Sequence, residues 1–74
     1  MWSTGMMNGI YYEVKHYAEG SVFGIDEGKI SKLFMRRDRK VLVSYDRGWD
    51  VRPDPAGDPE AYAVYQALLN KYNY

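Results

Sequence analysis

Met6-Met7-Asn8-Gly9-Ile10-Tyr11-Tyr12-Glu13-Val14-Lys15-His16-Tyr17 is the stretch whose reading decides the fold. An Asn-Gly pair between two apolar-rich runs is a strong hairpin signal, because a type I′ turn needs positive φ at both central residues. Trp2 to Met7 therefore reads as a first strand, weakened by Gly5, and Ile10 to Tyr17 as a second, antiparallel to it. In the second strand Ile10, Tyr12, Val14 and His16 share one face, and Tyr11, Glu13, Lys15 and Tyr17 share the other. The first set is the expected core face.

Outward from this hairpin, Ile30 to Arg37 reads as a third strand and Val41 to Tyr45 as a fourth, joined by a tight turn at Asp38-Arg39. Val41, Val43 and Tyr45 are expected to share a face. Leu33-Phe34-Met35 is apolar on both faces, which predicts that both are covered. Ala18 to Gly28 reads as a loop, with Val22-Phe23-Gly24-Ile25 as an apolar plug tucked under the sheet edge. Gly48, Pro53, Pro55 and Gly57 interrupt Arg47 to Asp58, which is expected to be irregular. A helix follows: Asp58 is the N-cap, Pro59 occupies the first helical position and Glu60 complements the positive helix end. It runs to about Lys71, with Ala61, Tyr65, Leu68 and Tyr72 on one stripe, widened by Val64 and Leu69. The predicted fold is α+β: a four-stranded antiparallel meander of two hairpins with one C-terminal helix packed on one face, a single domain over residues 1–74.

A chain of 74 residues buries only about 60–65% of its unfolded surface. Ordering it costs on the order of 100 kcal/mol of conformational entropy. Apolar residues make up 46% and cysteine is absent, so the core is thin and unstapled, and a homo-oligomer, a dimer or higher, is the expected way to enlarge it. Without cysteine there are neither disulfides nor thiolate metal sites. Met1-Trp2-Ser3-Thr4-Gly5 does not read as a secretory leader, and no apolar run approaches the ~20 residues that span a bilayer. The expected setting is soluble and cytoplasmic. Ten basic residues balance ten acidic ones, so the chain lacks the broad positive field that favours long nucleic acids and the strong acidity of a DNA mimic. Eight tyrosines and two tryptophans exceed what so small a core can hide, so some are expected on a binding surface or interface.

Catalytic patterns are weak. His16 is the one histidine; a nucleophile–base pair would need it beside Ser3, Ser21, Ser31 or Ser44, and no motif selects any of them, so it reads as structural. Asp46, Asp50, Asp54 and Asp58 recur every four residues, but the prolines forbid a helix there and the spacing is not that of a calcium loop. Gly20-Ser21-Val22-Phe23-Gly24 lacks the Lys-Ser/Thr end of a phosphate loop and reads as a turn. Arg36-Arg37-Asp38-Arg39-Lys40 is either a phosphate contact or a solvated hairpin tip that guards the sheet edges, and the second reading is preferred.

The remaining candidate is Tyr45-Asp46-Arg47-Gly48-Trp49-Asp50. Arg47 carries a planar fork suited to phosphate or carboxylate, Trp49 and Tyr45 carry stacking faces, and Gly48 permits close backbone approach. Tyr45, Arg47, Trp49 and Asp50 are therefore the candidate ligand-binding residues. The alternative is a core cap in which Arg47 pairs with Asp46 or Asp50 and Trp49 closes the core end.

Gly24-Ile25, Gly28-Lys29-Ile30-Ser31-Lys32-Leu33 and this Tyr-Asp-Arg-Gly-Trp-Asp segment, with Trp2 and Gly5 before them, resemble a family of very short proteins from gut Firmicutes and their phages. The resemblance runs from Trp2 to the helix and carries no catalytic residue over. One departure is Arg39, where relatives tend to have a glycine turn. What the resemblance implies is a phage or prophage accessory protein acting in the host bacterial cytoplasm; with no catalytic or cofactor motif in the sequence, neither catalysis nor a cofactor is expected. Two functions then compete. One is an anti-defence sponge that sequesters a small cyclic nucleotide or other phosphorylated signal. The other is a stoichiometric inhibitor that binds a host defence protein, in the manner of an anti-CRISPR.

Overall fold

The computed structural model describes all 74 residues. β1 (Trp2–Met7), β2 (Ile10–His16), β3 (Ile30–Arg37), β4 (Lys40–Asp46) and β5 (Trp49–Val51) form one antiparallel sheet in sequence order, followed by α1 (Pro59–Tyr72). Asn8 (φ 53°) and Gly9 (φ 76°) close the first hairpin, with Met7 opposite Ile10. In the second, Asp38 takes positive φ at 53°, which an Asp tolerates. Arg39 carries no such demand, so a glycine is not required there.

The sheet has five strands rather than the expected four. β5 lies inside the stretch expected to be irregular. Arg47 enters the left-handed region (φ 55°), the chain reverses over Arg47-Gly48, and Trp49 pairs with Tyr45. Pro53, which lacks an N–H, stands just beyond the last paired residue.

One helix covers one face of the sheet. Its buried residues, Ala61, Val64, Tyr65, Leu68 and Leu69, meet Ile10, Tyr12, Val14, Leu33, Met35, Val43 and Tyr45 in one apolar cluster. Three expectations about burial change. A bulge between Met35 and Arg36 makes Leu42 the extra residue of β4, so Leu42 and Val43 enter the core while Val41, paired with Arg36, stays exposed. Phe34 is only half-buried, on the face opposite the helix. Of the apolar plug, Gly24 and Ile25 are buried, while Val22 and Phe23 remain 75% and 58% exposed. No helix is long and apolar enough to cross a membrane.

Both helix ends are tied to the sheet. At the start, the Asp58 carboxylate accepts the Ala61 N–H at 3.1 Å and receives the Arg37 guanidinium at 2.9 Å, while Arg37 also reaches Glu60 at 3.0 Å. At the end, buried Asn73 accepts the Ile30 N–H through Oδ1 (2.8 Å) and donates Nδ2–H to the Ile25 carbonyl (3.0 Å). Gly28 leaves the space this carboxamide fills, since a Cβ there would overlap the Asn73 side chain.

Leu68 is completely buried, so Leu68→Ala is expected to cost about 2–5 kcal/mol by chemical denaturation. Arg37 first, then the Ala61 N–H, holds the Asp58 carboxyl below its ordinary value of 3.8. A depressed folded pKa stabilises above the unfolded value and ceases to as pH falls through the folded one. Asp58→Asn keeps a capping oxygen but loses the charge. Its melting temperature is expected to lie below wild type at neutral pH and to fall less steeply below about pH 4. Identical pH slopes for the two proteins would show that the ion pair contributes nothing.

Candidate functional site

The β2–β3 register sets Lys15 directly opposite Lys32. Like charges facing each other across a sheet are destabilising. Immediately beyond this pair the register slips, with His16 opposite Ile30, so Ser31 becomes the extra residue of a bulge. The bulge sets Ser31 into a bowl of about 370 Å³ whose rim carries Lys15, Lys32 and Arg47 and whose walls include Tyr17, Ser21 and Phe23. That volume lies at the lower end of the ~300–1,000 Å³ typical of ligand clefts. Ser31 is 7% exposed, and its hydroxyl is buried without a hydrogen-bond partner. A buried polar group left unpaired is costly and rare.

The far wall is a segment of the β2–β3 connection held by named bonds. The Tyr17 N–H donates to Lys29 O (3.0 Å) and the Ser21 N–H to Gly28 O (3.1 Å). The Tyr45 hydroxyl donates to Phe23 O at 2.7 Å, and the Phe23 N–H donates to Ser21 Oγ at 3.2 Å. Arg47 is fixed through its backbone, the N–H donating to Ser31 O at 2.9 Å.

Three cations face one carboxylate. Asp46 Oδ1 lies 3.7 Å from Lys32 Nζ and 4.0 Å from Arg47 Nε, both solvent-exposed contacts of the kind that contribute little. Lys15 has no carboxylate partner; its ammonium lies 5.8 Å over the Tyr17 ring and 5.7 Å over the Trp2 ring. The Tyr17 phenol is drawn below its ordinary value of 10.0, chiefly by Lys15, with Ser31 and Lys32 acting in the same direction. Cations, a buried hydroxyl and aromatic surface surround one concavity, a set of groups whose chemistry suits an anion that carries a ring.

The four residues singled out from sequence do not converge. Arg47 alone lines the bowl. Tyr45 is buried, its ring 4.9 Å from Trp49, and Trp49 stands 6.0 Å from Tyr65 of the helix. Burial, with Asp26 nearby, pushes the Tyr65 phenol up to about 12. Asp50 is exposed on β5 and makes no ion pair. The separation follows from Arg47 itself: its left-handed turn reverses the chain, and Trp49 returns beside Tyr45 toward the helix. Tyr45 bears on the bowl only by holding Phe23.

Other candidates have structural roles. His16 Nε2 meets Ser3 Oγ at 2.9 Å while its ring stacks on Tyr72 at 4.7 Å, and no carboxylate orients it. Burial first, then the positive Met1 amine, lowers its pKa. Asp54 accepts the Gly57 N–H (2.9 Å), Asp58 caps the helix and Asp46 meets Lys32. At the basic tip, Arg37 holds the helix start and the Arg36 guanidinium lies 4.7 Å over Tyr11. Sequence reading missed Lys15, Tyr17, Ser21, Phe23, Ser31 and Lys32 as lining residues. The signal for the lysine pair was present: once the two strands are paired antiparallel with Tyr12 opposite Met35, Lys15 must face Lys32.

The family model described as Domain of unknown function (DUF7678) matches residues 1–73, and the chain belongs to that family. No curated protein and no solved structure matches it.

The two halves of the Tyr45–Asp50 segment are expected to behave oppositely. Trp49→Ala should lower stability by on the order of 2 kcal/mol through lost packing. Arg47→Gly keeps the left-handed turn and should leave the denaturation midpoint unchanged or slightly raised. Equal destabilisation by both variants, read from urea titrations, would make Arg47 a core cap.

Proposed function

With membership of that family as the premise, we propose that the protein is a non-catalytic binder that sequesters a small phosphorylated ligand, a cyclic or modified nucleotide, in the bowl between β2, β3 and the Arg47 turn. The observation that carries this reading is the facing Lys15–Lys32 pair beside a buried, unpartnered Ser31 hydroxyl. An isolated fold gains nothing from opposing two ammonium groups, whereas a phosphate between them reverses the sign of the interaction. Arg47 supplies a fork to the same anion, and Tyr17 or Phe23 supplies a face for the base. The phage setting and the anti-defence role implied by the resemblance belong to this proposal, as does a bacterial cytoplasmic location.

Charge-assisted contacts contribute about 1.5–3 kcal/mol each, and a stacked base about 1–3 kcal/mol. Three charge-assisted contacts, from Lys15, Lys32 and Arg47, with one stacked base sum to about 5–12 kcal/mol, and the upper end of that range reaches micromolar affinity, near −8 kcal/mol, after association costs of about 4 kcal/mol.

Mass spectrometry of small molecules released from the purified protein, followed by calorimetry against a panel of cyclic nucleotides, tests the reading. The expected result is a micromolar ligand whose affinity falls with ionic strength and drops at least roughly tenfold, about 1.4 kcal/mol, in Arg47→Gly and in Lys15→Gln. Flat calorimetry with nothing released would overturn it. A host protein that co-purifies and is lost on Arg47→Gly would establish the inhibitor function instead.

A further inference from the structure

The two edges of the sheet are built differently. β5 is three residues long, carries Asp50, is followed by Arg52 and runs into Pro53. Short length, charge and proline are the devices that stop an edge from pairing. β1 has none of them. It is six residues long, Trp2-Ser3-Thr4-Gly5-Met6-Met7, without a charged side chain, a proline or a register shift. It also leaves Trp2 and Met6 53% and 65% exposed.

Which backbone groups β1 offers follows from its pairing with β2. Met1 and His16 exchange both bonds, N–H to O at 2.9 Å and 3.1 Å. Antiparallel ladders alternate, so Ser3, Gly5 and Met7 also bond inward, while the N–H and C=O groups of Trp2, Thr4 and Met6 point to the free edge. The same three side chains lie on the face that the helix leaves open.

We infer that β1 is a homodimer interface, a second copy pairing antiparallel along this edge about a two-fold axis at Thr4. This register sets Trp2 opposite the partner's Met6 and Thr4 opposite its equivalent. Every outward residue then meets an outward residue, and none of the three is left over. A shift by one residue sets outward groups against inward ones, and a shift of the axis to Ser3 or Gly5 leaves an outward residue of each copy unpaired. At the Thr4 register the methionine sulfur lies against the indole on the open face, and Ser3 faces Gly5 on the other, where both side chains are small. Because β1 is uncharged, no like charges meet at the contact, and the two sheets become one of ten strands. This inference stands on the edge alone and does not depend on a ligand in the bowl.

Thr4→Pro tests it, because it deletes an N–H that bonds nothing within the chain. Met6→Glu tests it independently by placing a carboxylate on each side of the contact, at an exposed position that the monomer fold does not need. Sedimentation equilibrium of the wild type is expected to give twice the 8.6 kDa chain mass. Both variants should keep the wild-type circular dichroism while weakening the dimer at least roughly tenfold. Hydrogen exchange of the Trp2, Thr4 and Met6 amides should slow as wild-type concentration rises. A wild type that stays monomeric at high micromolar concentration overturns the inference. So does a dimer of undiminished affinity in Met6→Glu, or one that Phe34→Glu dissociates in place of Met6→Glu, which would locate the contact on the open sheet face.

Discussion

A single carboxamide ties together parts of the chain that would otherwise separate. Asn73 is 2% exposed, and both ends of its side chain are satisfied, by the first amide of β3 and by the carbonyl of Ile25. Its own backbone oxygen accepts the Lys29 N–H at 3.2 Å. The helix end, the start of β3 and the long β2–β3 connection are thereby fixed to one another. A buried amide of this kind has no substitute, because an apolar replacement strands a donor on one side and an acceptor on the other. The bowl inherits its shape from this junction: Tyr17, Ser21 and Phe23 belong to the connection that Asn73 holds, and Ser31 and Lys32 follow Ile30 directly.

The sheet divides the molecule into two sides with opposite chemistry. The helix side collects the aliphatic residues and the Tyr45–Trp49–Tyr65 aromatic series. The open side collects the row Trp2, Lys15, Lys32, Asp46, one residue from each of four neighbouring strands. A net charge of zero thus conceals a local excess of cations, because Asp46 alone pairs with them while Asp54 and Asp58 cap a turn and the helix and Glu60 meets Arg37. Overall neutrality and a basic pocket are compatible when the carboxylates are committed to capping and turns.

Much of the architecture was legible because it is encoded locally. Asn8-Gly9 announces its turn through its own φ preference, and Asp58-Pro59 announces the helix through capping and the missing proline N–H. What escaped reading is non-local or irregular. The Leu42 bulge inserts a residue into the alternation and reverses the assignment of Val41. β5 survives in a proline-rich stretch because Trp49 gains more from packing beside Tyr45 than the short strand loses in propensity. Asn73 finds partners 43 and 48 residues away in sequence, a distance no periodicity reports. At the site, Arg47 was recognisable from its own chemistry, but its companions Lys15 and Lys32 come from other strands and become neighbours only through register. Tyr45 and Trp49 were grouped with Arg47 because they adjoin it in sequence, and the left-handed turn at Arg47 separates what adjacency suggested.

The strand order carries a kinetic consequence. Each strand lies beside its immediate predecessor, so the sheet can zip from hairpin to hairpin, closing only short loops except between β2 and β3. Topologies dominated by such local pairing fold quickly. The Asn73 junction is of the opposite kind, since it joins residues 43 and 48 apart in sequence, and loops of that length close at a higher entropic cost. The connection that walls the bowl therefore depends on contacts distant in sequence, and it is expected to open in sub-global fluctuations before the hairpin ladder does. Lys15 and Lys32 stand on paired strands, so loosening of that connection alters the wall of the bowl while the two lysines stay in register.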